Sequence, residues 1–151
     1  MSFKPKPPRP MPEELAVLGP KLLEPASPYR LVGEQLYEQY DEADYVDLYH
    51  AEGKPAISPV LLSLVTAFQY MENLSDREAG EVVRIRLDWK YALHLPLEYA
   101  GFNFSVLSEF RDRVIKHQAE ARLFERLLEQ LQALGLIKRR GRQRTDSLAV
   151  L

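Results

Sequence analysis

The chain has 151 residues, 46% of them hydrophobic and 28% charged, with a formal net charge of −2. That composition suits one domain with a packed core and argues against a disordered chain. The absence of cysteine excludes disulfides, thiolate zinc sites and a cysteine nucleophile, and without an uncharged apolar run long enough to span a bilayer the expectation is a cytoplasmic protein with no membrane segment.

Residues 1–12 are proline-rich, with basic residues and no apolar signal-peptide core, and are expected to be extended or disordered. A short helix is expected over 12–18. The spacing over 28–40 predicts an amphipathic helix with Leu31, Leu36 and Tyr40 turned inward, followed over 41–55 by an acidic, aromatic connection with a turn of helix near 46–49. Ser58 and Pro59 form a helix start, with Ser as cap and Pro in the first turn. The helix over 59–71 is apolar on nearly every side, leaving Ser63, Thr66 and Tyr70 as a polar stripe, which places it in the middle of a bundle.

Ser75 and Glu78 have capping-box spacing and open a helix predicted to run to 93, with Val82, Ile85, Trp89 and Ala92 as its buried stripe. The short link Glu72-Asn73-Leu74 allows a helix-turn-helix. A loop over 95–104 holds Pro96 and Gly101. The next helix, capped by Ser105 or Ser108, carries Leu107, Phe110 and Val114. A last helix over 119–134 lines up Phe124, Leu127, Leu128, Leu131 and Leu134, and Gly135 ends it with Leu136 folding back on Leu131. No strand pattern precedes Arg144. The fold class is therefore all-α, a helical bundle followed by the stub of a strand.

Charge is unevenly placed. Residues 24–52 hold eight acids and a single Lys or Arg, Arg30, whereas 138–144 hold five cations and no acid: Lys138, Arg139, Arg140, Arg142 and Arg144. A basic run of this kind is most often a solvated linker, but it also suits contact with a polyanion. For cations on helices, neighbours three and four residues away decide whether the charge is already paired. Arg84 has Glu81 and Asp88, Arg113 has Glu109, and Lys116 has Asp112, so these read as surface pairs without function. Arg86, Lys90 and His94 find no acid at that spacing and line up as a cationic stripe: a solvated face, a set paired with the acidic 24–52 region, or a phosphate contact. Arg111 is also unpaired within its helix and is either a buried structural Arg bonded to a neighbouring acid, the favoured reading, or a backbone contact.

Asp146, in Arg144-Thr145-Asp146-Ser147 ahead of the β-tolerant Leu148-Ala149-Val150-Leu151, stands where a new strand would start. Two-metal phosphoryl chemistry needs two or three carboxylates to hold Mg²⁺, and here there is one. His50, His94 and His117 are too scattered for a metal motif.

An ordered set of segments carries a family resemblance: Gly53-Lys54-Pro55-Ala56-Ile57-Ser58-Pro59; Leu74-Ser75-Asp76-Arg77-Glu78; Leu87-Asp88-Trp89-Lys90-Tyr91-Ala92-Leu93; Phe102-Asn103-Phe104-Ser105 with Phe110-Arg111-Asp112-Arg113; Gly135-Leu136-Ile137; and Thr145-Asp146-Ser147. Together they resemble the N-terminal region of bacterial insertion-sequence transposases of the DDE type, the InsH-like group, from about residue 25 onward. The resemblance implies a helical DNA-binding domain ahead of an RNase H-like catalytic domain, with Asp146 as the first of three metal-binding acids. Leu148 departs from the Thr that commonly follows the Asp-Ser pair, and the other two acids are absent.

The expected organisation is a proline-rich segment over 1–24, a helical DNA-binding domain over 25–137, and a basic linker with the first strand of a catalytic domain over 138–151. The expected function is that of an N-terminal transposase fragment that binds DNA at element ends, associated with the nucleoid when bound. DNA contacts are assigned to Arg86, Lys90, His94 and the five cations of 138–144. No cofactor is expected for this chain alone, and Mg²⁺ is expected for a complete enzyme, with Asp146 then catalytic. Two alternatives remain: half of a split transposase completed by a downstream catalytic portion, or an interaction module that forms a homo-oligomer through its last helix.

Overall fold

A computed structural model describes residues 5–48, 57–120 and 124–135, and among these it contains helices and no strand. Helix α1 spans Glu13–Leu22 and α2 Pro28–Leu31. The backbone of α2 does not stop at Leu31. It widens into a π-helical turn over Val32–Leu36, tightens to 3₁₀ over Tyr37–Gln39, and resumes as 3₁₀ over Glu42–Leu48. This uneven winding turns Tyr29, Val32, Leu36, Tyr37, Tyr40, Tyr45 and Leu48 all toward the core, while Leu31 stays half-buried.

Helix α3, Pro59–Glu72, starts as its sequence dictates: the Ser58 hydroxyl accepts from the Leu61 N–H and Pro59 occupies the first turn. Val60, Leu61, Leu62, Leu64, Val65 and Phe68 are buried, and Ser63, expected on a polar stripe, is buried with them. An almost wholly apolar helix has no face to offer to water and packs at the centre. Asn73 ends α3 in the left-handed region (φ 57°), letting the Leu74 N–H reach back to the Gln69 carbonyl.

Ser75 then opens α4, Asp76–Ile85, through a complete capping box with Glu78. The single helix expected to 93 is in fact two. Arg86 is extended (φ −90°, ψ 130°) and α5, Leu87–Ala92, begins after it. The break changes which residues face inward: Ala79 and Val83 are buried on α4, whereas Ile85, expected in the core, is 64% exposed. Helix α6, Ser105–Lys116, buries Leu107, Phe110 and Val114, and α7, Arg126–Ala133, buries Leu127 and Leu131. Arg126 pairs with Asp44 and lies over the Tyr40 ring, and Gln130 bonds Tyr40 and Gln39, so the apolar side of α7 packs within the chain. Helix α1 meets α5, with Gly19 close beneath the Tyr91 ring. The expected strand stub, Asp146, the basic run and Leu136 all lie outside the described residues.

Candidate nucleic-acid interface

The α3–turn–α4 unit is where a DNA contact was expected, and three cations tested that expectation. The unpaired stripe of Arg86, Lys90 and His94 does not exist on the surface. Arg86 donates at 3.0 and 2.7 Å to the two carboxylate oxygens of Asp88 and at 2.6 Å to Glu72. Lys90 is buried, with Nζ donating to the Tyr99 carbonyl at 3.1 Å. His94 is also buried, its ring stacked on Tyr37. The reason is the break at Arg86: it ends the helical phase on which spacings of four and eight depend, and it carries Lys90 and His94 into the bundle.

Glu72 is the hub of this interior. It accepts from Arg86, from the Tyr29 hydroxyl and, at 3.2 Å, from Trp89 Nε1. Burial pushes the Glu72 carboxyl up, but hydrogen bonds from Arg86, Tyr29 and Trp89 outweigh it and hold the group below the usual carboxylate range. Tyr29 is driven well above the ordinary phenol range, first by burial and then by the Glu72 carboxylate. Lys90 is lowered by burial. A second tie joins α4 to α6: Arg111 grips both oxygens of Asp76, at 2.9 and 2.7 Å, and Gln69 from α3 adds a third bond at 2.9 Å. The structural role expected of Arg111 is thus borne out, and its guanidinium holds the Asp76 carboxyl below its usual range.

With Arg86 engaged by Glu72 and Asp88 and with Lys90 and His94 buried, the charges α4 offers to solvent are others. Arg77, Glu81 and Arg84 stand at helical spacing on its exposed side. Arg84 pairs with Glu81, as expected, in an ion pair whose side chains are 50% and 56% exposed. Such a pair is worth about 0–1 kcal/mol and yields readily to a better partner. Arg77 instead lies over the Phe104 ring, 4.7 Å from its centroid. The loop 101–104 runs close along α4: a Cβ on Gly80 would sit 3.1 Å from Phe104 Cβ, and Gly101 (φ +89°) lies against the Arg84 side chain. The glycines therefore let the loop and helix form one surface of Arg77, Glu78, Glu81, Arg84 and the half-exposed Phe104.

Sequence reasoning missed Arg77. Its neighbour Glu81, four residues on, would have counted it as paired, whereas Glu81 turns to Arg84. The signal available was the repeat of Arg77, Glu81 and Arg84 on a helix held by a capping box.

Among the described residues no cluster of three or more His, Asp or Glu is placed to hold a metal ion. No described helix is long and apolar enough to cross a membrane. A family model described as Transposase domain (DUF772) matches residues 20–113, which take in the whole of the α3–turn–α4 unit and the loop beside it. No curated protein and no solved structure matches the chain.

Proposed function

We propose, for a chain that belongs to the transposase domain family, that it binds DNA as the helical N-terminal part of an insertion-sequence transposase of the DDE type, with α4 as the element that enters a groove. The observation that carries this reading is the α4–loop surface. A capped, exposed helix follows a buried one after a tight turn, and the half-buried Arg86 at the end of α4 ties back to Glu72 of α3 without being spent on the outer side.

The charges suggest a division of labour. The outer side of α4 carries Arg77 and Arg84 against Glu78 and Glu81, so its formal charge is zero and it gains little from phosphates. Such a mixed set suits base edges: Arg donates to guanine and Glu accepts from cytosine. Phosphate contact, which supplies affinity rather than sequence preference, falls to Lys138, Arg139, Arg140, Arg142 and Arg144. Arg86, Lys90 and His94 act as internal supports.

Catalysis belongs to a completed enzyme on this reading. Asp146 supplies one of the two or three carboxylates that a Mg²⁺ site for phosphoryl chemistry requires. Selection from a pool of randomised duplexes tests the proposal. The chain should enrich a defined sequence, and Arg77→Ala should lose preference at one or two of its positions. A chain that enriches nothing, or an Arg77→Ala variant with the same preference, contradicts it.

A further inference from the structure

His94 makes two contacts that a neutral imidazole cannot satisfy together. Its Nδ1 lies 2.7 Å from the Arg9 carbonyl oxygen and its Nε2 lies 2.7 Å from the Gly33 carbonyl oxygen. A carbonyl oxygen only accepts, so each ring nitrogen must carry a hydrogen, and only imidazolium has both. The residue is 1% exposed and stacked on Tyr37 at 4.2 Å between centroids, so water has no access to stand in for either partner. His94 itself has φ 53°, an uncommon left-handed conformation that His adopts more readily than most residues.

The two carbonyls differ in their freedom. Gly33 lies in the π-helical turn, between the buried Val32 and Leu36. Arg9 lies in a segment without regular structure, exposed at Pro5, Lys6, Pro7, Arg9 and Pro10. That segment has two further anchors among the described residues, the Lys6 N–H donating to Glu42 at 3.0 Å and a hydrogen bond between the Arg9 backbone and Tyr37. Beneath it is a cavity of about 420 Å³ walled by Tyr37, Tyr40, Leu61, Leu93 and Leu95. The segment is a roof held by Lys6 on Glu42, by the Arg9 backbone on Tyr37 and by the Arg9 carbonyl on His94.

We propose that residues 5–10 form a strap latched by doubly protonated His94, and that loss of a ring proton releases the strap and opens the groove beneath it. When one nitrogen becomes a lone pair, it faces a carbonyl oxygen at hydrogen-bond distance. Gly33 cannot move without unwinding its turn, so Arg9 leaves. The latch is therefore closed at low pH and opens as pH rises. The charged and titratable groups around the ring are Arg9 and Lys6 on the strap, Glu42 on the 3₁₀ segment, Tyr37 and Glu34 on the α2 continuation, Lys90 one turn earlier on α5, and Tyr99. Glu34 is occupied by Arg30 and Tyr91. The two carbonyls carry the latch.

The test is ¹⁵N NMR on the full chain, scanned from about pH 5 to about pH 9 across the range in which histidine changes charge. The His94 ring nitrogens report which carry protons, and the heteronuclear NOE of the Arg9 amide reports whether the strap is ordered. The expected result is an ordered Arg9 while both nitrogens are protonated, and at least about a tenfold rise in the open population once one proton is lost. In His94→Gln, whose donors sit on a single nitrogen and cannot reach both carbonyls, Arg9 should be mobile at every pH. If that variant fails to fold, the wild-type scan decides alone. An Arg9 amide equally ordered at both ends of the scan, or one whose order changes while the ring does not, overturns the proposal.

Discussion

Arg86 reaches back across the α3–α4 turn to Glu72, fourteen residues earlier, and bonds it at 2.6 Å. With Asp88 held on its other nitrogens, it ties the end of α3 to the start of α5 and fixes the angle at which α4 leaves the bundle. Removing it strands Glu72 beside Tyr29 and Trp89. Arg86→Ala is expected to lower unfolding free energy by about 1–3 kcal/mol, since a hydrogen-bonded, partly buried charge loses its partner. Arg86→Lys should recover only part of this, because a point charge does not reproduce the forked contact with Asp88. Urea unfolding measures both. Equal stability of Arg86→Ala and wild type would remove the hub from the account.

The Asp76–Arg111 tie gives a pH dependence of definite sign. Arg111 holds the Asp76 carboxyl below its ordinary value, so the folded state binds this proton less readily than the unfolded one. Its contribution is complete above the unfolded value of about 3.9 and is lost as pH falls through the lower folded value. Wild type should therefore lose more stability on acidification below about pH 4 than Arg111→Met does, by about 1 kcal/mol. Parallel acid profiles of the two proteins would contradict this.

How much of this was legible depends on how local the cause is. Ser58-Pro59 and the Ser75–Glu78 box were readable because caps act within one turn. Arg111 was readable as a residue needing a partner from another helix, although nothing local named Asp76. Arg86 has the same sequence signature, but the structure pairs it with Asp88 and Glu72, neither at helical spacing. The rule of three and four assumes an unbroken helix, and the break falls on Arg86 itself. Its partners lie two residues ahead, where Asp88 also accepts from the Trp89 N–H, and across a turn, where only the tertiary fold brings Glu72. Lys90 and His94 went with it. The π-helical widening at Val32–Leu36 was likewise hidden, because its apolar pattern fits an ordinary helix.

Gly33 tests how closely that widened turn packs on α5. A Cβ there would stand 2.6 Å from the Tyr91 carbonyl oxygen, which is backbone and cannot swing aside. Gly33→Ala should destabilise by about 1–3 kcal/mol through forced displacement of α5. Helix propensity alone predicts the opposite, a gain of up to about 1 kcal/mol. Thermal unfolding separates the two: a lower Tm supports the close packing, and a raised Tm refutes it.

The central claim is that the basic run supplies phosphate contact while the outer side of α4 supplies sequence preference. Fluorescence anisotropy on a fixed duplex, repeated as salt is raised, tests it most directly. Each phosphate contact contributes about 0.9 to the slope of log affinity against log salt. Replacing Lys138, Arg139, Arg140, Arg142 and Arg144 by Gln should reduce that slope by about 4 and weaken binding to all sequences alike, whereas Arg77→Ala should change it by no more than about 1. A slope unchanged by the five replacements would contradict the claim.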